Sequence, residues 1–347
     1  MAAVLTALAA PALMGVYNFG WRVLAVVAVS NVCCFAGEWW FVRRDGRPVT
    51  LSAFVTGTIF ALILPPNVPF WMVVVGALFA IVFGKMVFGG FGRNIFNPAM
   101  VGRCLLYVAF PLFLTGRWFA PIDGPGGGFV RWTARAESEP VHELSAPEGV
   151  DVEGVSSATT LTAAKKLGGA AKAARAKSDE PQVRAARRAF EGIDLGKLLW
   201  GRISGSQGET SGILILLGLA YLLYRRAAAW QLVVSPLVGM GLGLVLLRAG
   251  GASLLPLGQA ALVNVLGGGT LFAVVFMTTE PVSAPRHKTA QWLYGILIGL
   301  FASVIRTLSV FNAGLMFSVL LGNMFGPILE VGCRRFDDWR AGRGGRA

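Results

Sequence analysis

Apolar residues run through this chain in long blocks, separated by short polar or glycine- and proline-bearing breaks. Val73 to Phe83, Ile213 to Leu223 and Leu315 to Leu321 are almost free of charge. Several such blocks reach the ~20 residues needed to cross a ~30 Å hydrocarbon core. The pattern predicts an all-α integral membrane protein of about ten transmembrane helices. Helices are expected near 2–18, 22–42, 51–64, 70–88 and 99–115, then near 211–224, 231–248, 257–277, 290–308 and 312–333. The third block ends at Pro65-Pro66, so it reads as short, a half-helix. Ala2 to Val16 reads as the first membrane helix and not as a removable signal. The expected division is a membrane unit over 1–115, a polar segment over 116–210 outside the hydrocarbon, a second membrane unit over 211–333 and a tail over 334–347.

The two membrane units repeat one another. Gly57-Thr58-Ile59-Phe60-Ala61-Leu62 returns as Gly269-Thr270-Leu271-Phe272-Ala273-Val274. A proline-bearing break follows each copy, at Pro65-Pro66 and at Pro281 and Pro285. Trp71 and Trp292 then open the next helix, and Phe96-Asn97 and Phe311-Asn312 continue the parallel. An odd number of spans per unit implies two inverted five-helix repeats, an architecture that places sites near the midplane at interrupted helices.

Composition narrows the class. Of 347 residues 55% are hydrophobic and only 14% charged, too little charge to cover a soluble surface. The net charge of +13 belongs with Lys and Arg at helix ends, because no aromatic-basic interleaving supports nucleic-acid binding. With the N-terminus inside, the inner loops carry Arg43, Arg44, Arg47, Lys85, Arg93, Arg225, Arg226, Arg286, Lys288, Arg334, Arg335 and Arg340. The outer ends carry Arg22, Arg248 and Arg306. This bias predicts both termini cytoplasmic and segment 116–210 outside a bacterial inner membrane, with membrane lipid as a partner of the helices. Cys33, Cys34, Cys104 and Cys333 form no C-x-x-C, so no zinc or iron–sulfur site carried by this chain alone is expected.

Four motifs carry candidate chemistry. In Phe88 to Pro98, Gly89, Gly90 and Gly92 expose backbone N–H groups, while Arg93, Asn94 and Asn97 offer donors and acceptors. This is a ligand site or a plain cytoplasmic turn. In Thr278 to Pro285, Glu280 ends an apolar helix, where an acid is costly unless paired or wet. It reads as an ion-handling group or an interfacial cap. In Gly205 to Ser211, Glu209, Thr210 and Ser211 precede a helix, which suits an anion or a simple N-cap. Glu153 to Thr162 is a hydroxyl-rich strip of small residues.

These motifs, in this order, resemble the B subunit of the sodium-translocating NADH:quinone reductase and the related D subunit of the Rnf complex. Glu280 to Pro285, Gln291 to Gly295 and Leu320 to Phe325 are closer to the former, and Gly89 to Pro98 is shared by both. The resemblance covers nearly the whole membrane part. It implies FMN joined through a phosphoester to Thr159, where Glu153 to Thr159 matches an Asp-x-x-Ser/Thr-Gly-Ala-Thr pattern with Glu153 for Asp and Ser157 for Gly. Ser156 and Ser157 would flank the attachment, made by a flavin transferase on the outer side.

The resemblance further implies a non-covalent riboflavin and a quinone substrate, with the contact carried to Gly89 and Gly90, and sodium movement involving Glu280 and Glu330. At Met86 the family would place an acid after the lysine, and this chain has none. Relatives also carry an extension before the first helix, so a quinone contact from it would be missing or differently supplied. No dinucleotide fingerprint follows a strand, so NADH should bind another subunit, one bearing flavin and iron–sulfur centres, and this chain alone should not oxidise NADH. The rival readings are an Rnf subunit, and a flavin-free channel or transporter on the same repeat.

Overall fold

The computed structural model describes residues 1–115, 119, 121–122, 124, 126–133, 195–202, 204–250, 257–267, 269–309 and 314–342. The first half contains α1 (Ala2–Phe19), α2 (Arg22–Val42), α3 (Leu51–Leu62), α4 (Phe70–Ile81), α5 (Pro98–Ala109) and the short α6 (Pro111–Thr115). After α7 (Leu195–Trp200), the second half contains α8 (Gly212–Tyr224), α9 (Gln231–Ala249), α10 (Leu257–Leu266), α11 (Thr270–Phe276), α12 (Lys288–Leu308) and α13 (Gly314–Arg340). No strand occurs among the described residues. This is an all-α membrane protein, as the apolar blocks predict. Among the described residues five helices, α1, α2, α9, α12 and α13, are long and apolar enough to cross a membrane, and α3, α4, α5 and α8 are shorter apolar helices.

The ends differ from the sequence expectation for local reasons. The expected helix over 257–277 is two, α10 and α11, because glycines at 267–269 interrupt it and Gly269 takes φ +71°. Thr270 Oγ ties the break by donating to the carbonyls of Asn264 at 2.5 Å and Gly267 at 3.1 Å. The fifth helix stops at Ala109, before Pro111, whose ring and missing N–H end the ladder. The fourth widens into a π turn over Val82–Met86, closed by Val87 N–H on the Val82 carbonyl at 2.9 Å. The last helix runs on to Arg340, held by Arg334 on Glu330 and by His287 on Asp337.

Packing follows one scheme in both halves. The second long helix lies on the fourth (α2 on α4, α9 on α12) and the fourth on the fifth (α4 on α5, α12 on α13). The halves meet through like elements, α1 against α8 and α5 against α13. Small residues allow these approaches, as is usual where lipid gives no hydrophobic drive. A Cβ on Gly102 would stand 2.6 Å from the Gly76 carbonyl oxygen, and one on Gly239 2.7 Å from Ile296 Cα. At the centre lie α3 and α11, the two copies of the repeated hexapeptide, with nearly every side chain buried.

Candidate functional site

The π turn at the end of α4 turns Lys85 inward. Its ammonium is 1% exposed and donates to Glu38 Oε2 at 2.5 Å, to Ser52 Oγ at 2.5 Å and to Thr50 Oγ at 2.9 Å. Glu38, on α2, is equally buried, and its other oxygen accepts from the Thr50 backbone N–H at 2.9 Å and hydroxyl at 2.7 Å. The carboxylate therefore caps the start of α3 and pairs the ammonium together. Phe91 covers Lys85, its ring centroid 5.7 Å from Nζ. π turns in α-helices often mark functional sites, and a buried ion pair needs this many hydrogen bonds to offset its desolvation. Lys85 thus leaves the set of exposed loop cations in which its sequence position suggested it belongs.

A second carboxylate lies beside this pair. Glu280 Oε1 accepts from Asn94 Nδ2 at 3.3 Å, and Oε2 accepts from Ser283 Oγ at 2.9 Å. Lys85 is within Coulombic reach of it. The glycine-rich motif and the Thr278–Pro285 motif, 186 residues apart at this contact, are thus brought together. Asn97 caps α5, its Oδ1 accepting from Ala99 N–H at 3.1 Å and Met100 N–H at 3.3 Å with Pro98 at the first helical position. Its own N–H reaches Asn323 Oδ1 at 3.1 Å, and Asn323 donates to the Tyr294 hydroxyl at 2.8 Å. Asn97 therefore binds the two halves to each other.

Between the halves is a cavity of about 30 Å³, lined by Ser52, Thr56, Asn97, Thr279 and Glu280 with apolar neighbours such as Phe276. It has room for about two water molecules. A small ion stripped of most of its water matches that size, and a flavin or quinone ring does not.

The glycines of the first motif lie to one side of this centre. Gly89, Gly90 and Gly92 have φ of +102°, +92° and +88°, a region that favours glycine. A Cβ on Gly92 would meet nothing within 4 Å, and Phe91, Val87 and Ile95 are exposed alongside. Arg93 is exposed, while its stem packs over Gly89.

Glu209, Thr210 and Ser211 are engaged within the protein. Glu209 Oε1 pairs with Arg103 at 3.0 Å, Thr210 Oγ accepts from Asn18 at 3.1 Å, and Ser211 Oγ accepts from Leu214 N–H at 3.4 Å as the N-cap of α8. The nearby N–H groups of Gln207 and Gly208 donate to the carbonyls of Leu64 and Leu62, closing the broken end of α3. Backbone donors that suit an anion are thus already satisfied here, and the loop acts as a cap. Glu330 Oε2 accepts the N–H groups of Arg286 and His287, both at 2.8 Å, at the start of α12, while Oε1 pairs with Arg334. Glu330 is not in the buried centre. Arg306, expected at an outer helix end, is 1% exposed and donates to the Asn264 carbonyl at 2.8 Å. Thr159, Ser156 and Ser157 lie outside the described residues.

The residues that sequence reasoning missed are Glu38, Thr50, Ser52, Arg103 and Asn323. For Glu38 a signal existed, since an acid inside an apolar helix requires a partner.

Fold and site together define a multi-pass helical membrane protein with a buried Lys85–Glu38 ion pair beside a second acidic side chain, Glu280, at the junction of two similar halves. The chain belongs to the NQR2, RnfD, RnfE family, whose model matches residues 1–336. It is 36% identical over 309 residues to the B subunit of the Na(+)-translocating NADH-quinone reductase of Azotobacter vinelandii, covering 88% of this chain and 66% of the relative. It is 33% identical over 299 residues to the same-named protein of Chromohalobacter salexigens, covering 85% and 62%. It is 34% identical over 339 residues to the D subunit of the ion-translocating oxidoreductase complex of Halorhodospira halophila, covering 95% and 88%. The chain thus spans a little under two thirds of the length of the reductase relatives it matches.

Proposed function

We propose that this chain is a flavin-bearing membrane subunit of an ion-translocating oxidoreductase, passing electrons toward quinone with sodium export coupled to that flow. The observation that carries this reading is Glu280: a carboxylate held by Asn94 and Ser283 on a cavity of ion size, between two halves of a family member. An ionisable group there is kept for function more often than for stability. Glu330, on α13 beside the start of α12, would act at the entrance to the same route.

FMN on Thr159 and a second flavin, riboflavin, supply the one-electron chemistry when bound. The chain's own residues hold and orient them and keep water from the route. The Glu153–Thr159 pattern supports attachment at Thr159 by a flavin transferase. Around Gly89, Gly90 and Gly92 the open backbone and exposed Phe91 and Val87 suit a flat apolar ring such as quinone. NADH would be oxidised by another subunit of the complex. The reading places both termini inside and the 116–210 segment outside the inner membrane, and takes the two halves as inverted repeats of five spans.

A second reading, a D subunit of Rnf type using ferredoxin and NAD in place of quinone, draws support from the Halorhodospira halophila similarity across 95% of the chain. Covalent flavin is common to both; quinone reduction by the purified complex separates them.

The test is co-expression with a flavin transferase, followed by fluorescence on a denaturing gel and peptide mass. Thr159→Ala should abolish the covalent flavin, while Thr160→Ala and Thr162→Ala keep it. Covalent FMN retained in Thr159→Ala refutes the assignment. A wild-type chain without flavin would favour a plain channel or transporter.

A further inference from the structure

The buried centre has a charge count that its hydrogen bonds leave unbalanced. Glu38 and Glu280 are two carboxylates, and Lys85 is one ammonium. Among the described residues neither carboxylate has another ion-pair partner. Asn94 and Ser283, which hold Glu280, are neutral, and Glu280 itself is half-buried. A site of this kind binds one more positive charge or gives up one negative charge by protonation.

The ammonium's surroundings show what kind of charge fits. Nζ has three oxygen partners, Glu38 Oε2, Ser52 Oγ and Thr50 Oγ, at 2.5, 2.5 and 2.9 Å. A carboxylate and two hydroxyls at these separations also make an oxygen shell for a bare monovalent cation. Ser52 belongs to this shell and also lines the cavity that holds Glu280. The two carboxylates are thus joined by one hydroxyl and by space for about two waters.

We propose that Lys85 is a tethered cation that shares two carboxylate sites with one mobile monovalent cation. In the arrangement seen, Lys85 fills the Glu38–Thr50–Ser52 shell and the mobile ion belongs at Glu280. When the ammonium leans through the Ser52 side toward Glu280, the vacated shell takes the ion. Net charge in the centre stays constant in both arrangements, so the exchange carries no uncompensated charge through the apolar interior. A single arrangement can bind the ion and respond to it without moving it; two arrangements of equal charge let an ion be moved from one side of the centre to the other. This inference rests on the ion-coupling reading given above for Glu280.

The experiment is sodium titration of quinone reduction in the assembled complex, with flavin content and complex assembly measured on the same samples. Glu280→Gln leaves Glu38 and Lys85 balanced, and sodium stimulation should be lost. Glu280→Gln combined with Lys85→Met again leaves one carboxylate without a cation, now at Glu38, and sodium stimulation should return to at least a third of the wild-type level. A purely structural ion pair predicts the opposite, because the second substitution then only adds damage. Absence of sodium response in an assembled double variant overturns the proposal.

A second arm does not depend on that variant. Glu38→Gln with Lys85→Met removes both charges of the pair and with them the positive neighbour of Glu280. Half-saturating sodium should fall at least threefold, and an unchanged or higher value overturns the proposal. Full sodium stimulation in Glu280→Gln itself, or a wild-type complex indifferent to sodium, overturns the earlier reading of Glu280, and so is distinct from failure of the exchange alone.

Discussion

Arg226 shows how a single residue can depart from its local rule. The last turn of α8 ends with Arg226 N–H on the Leu223 carbonyl at 3.0 Å and Ala227 N–H on the Leu222 carbonyl at 2.9 Å, the Schellman pattern. The residue at its turning point takes φ +52°, usually a glycine conformation, and among the described residues no other non-glycine does so. Left-handed backbone costs a side chain about 1–2 kcal/mol. Glycine's extra freedom in the unfolded chain takes back about 0.5–1 kcal/mol of the relief. Arg226→Gly should therefore stabilise by about 0.5–1 kcal/mol, seen as a higher unfolding midpoint in detergent. A lower midpoint would mean that the guanidinium holds a contact worth more than the strain. The exposed cation at this loop fits a role in orientation and not in folding.

The same scale shows how much of the site the sequence carried. Glu280, Asn94 and Asn97 stand out as polar groups in breaks between apolar blocks, and the structure brings them together. Glu38 and Lys85 do not stand out. Glu38 sits three residues before exposed Phe41 near the end of α2, where an acid looks interfacial, and Lys85 sits before a glycine turn, where a lysine looks like a loop cation. Only the π turn rotates Lys85 inward, and a one-residue change of helical phase leaves no mark in the periodicity.

At the scale of elements, the α9–α12 contact is set by spacing that the apolar pattern conceals. Gly239 and Gly243 lie four apart on α9, as Gly295 and Gly299 do on α12. Added Cβ atoms would meet partner backbone or the Ser235 and Ser303 side chains: from Gly299, 2.7 Å to the Gly239 carbonyl carbon, and from Gly243, 2.7 Å to Ser303 Cβ. Ser303 Oγ also crosses the interface to the Met240 carbonyl at 2.9 Å. Small residues four apart on facing helices let backbones approach. Gly299→Val should force these helices apart at a cost of about 1–3 kcal/mol, the usual range for overpacking. Gly241→Val, on the same α9 with nothing within 4 Å of its added Cβ, should cost far less. Thermal stability of the two variants in detergent distinguishes a tight glycine contact from mere small-residue content; equal stabilities would reject the contact. The repeated hexapeptide was legible as a repeat and its first copy as a half-helix, but the break that makes the second copy short and the partner of α3 were not. The 204–211 loop that caps it reads locally as an anion site or an N-cap, because a carbonyl acceptor more than a hundred residues away leaves no local signal.

At the scale of the whole molecule, the apolar blocks carry the helix order, and the exposed cations should carry the orientation. Two residues leave the charge count once burial is known. Lys85 is paired inside with Glu38, and Arg306 is bonded to the Asn264 carbonyl, so one falls from each side. Arg43, Arg44, Arg47, Arg93, Arg225, Arg226, Arg286, Lys288, Arg334, Arg335 and Arg340 are all exposed. Opposite them stand exposed Arg248 and the half-buried Arg22, whose guanidinium donates to the carbonyls of Pro66 and Val68. Cations in short loops resist translocation, whereas long segments cross largely regardless of charge. The asymmetry therefore retains its sign, and the segment 116–210 should lie on the outside despite its own Lys and Arg. Protease added to intact spheroplasts should cut within 116–210 and leave fragments that carry the two membrane units. The same protease should reach the end of α13, beyond Arg334, only in inside-out vesicles. Cleavage in the opposite pattern would invert the molecule, and would put Thr159 on the wrong face for a flavin transferase acting outside.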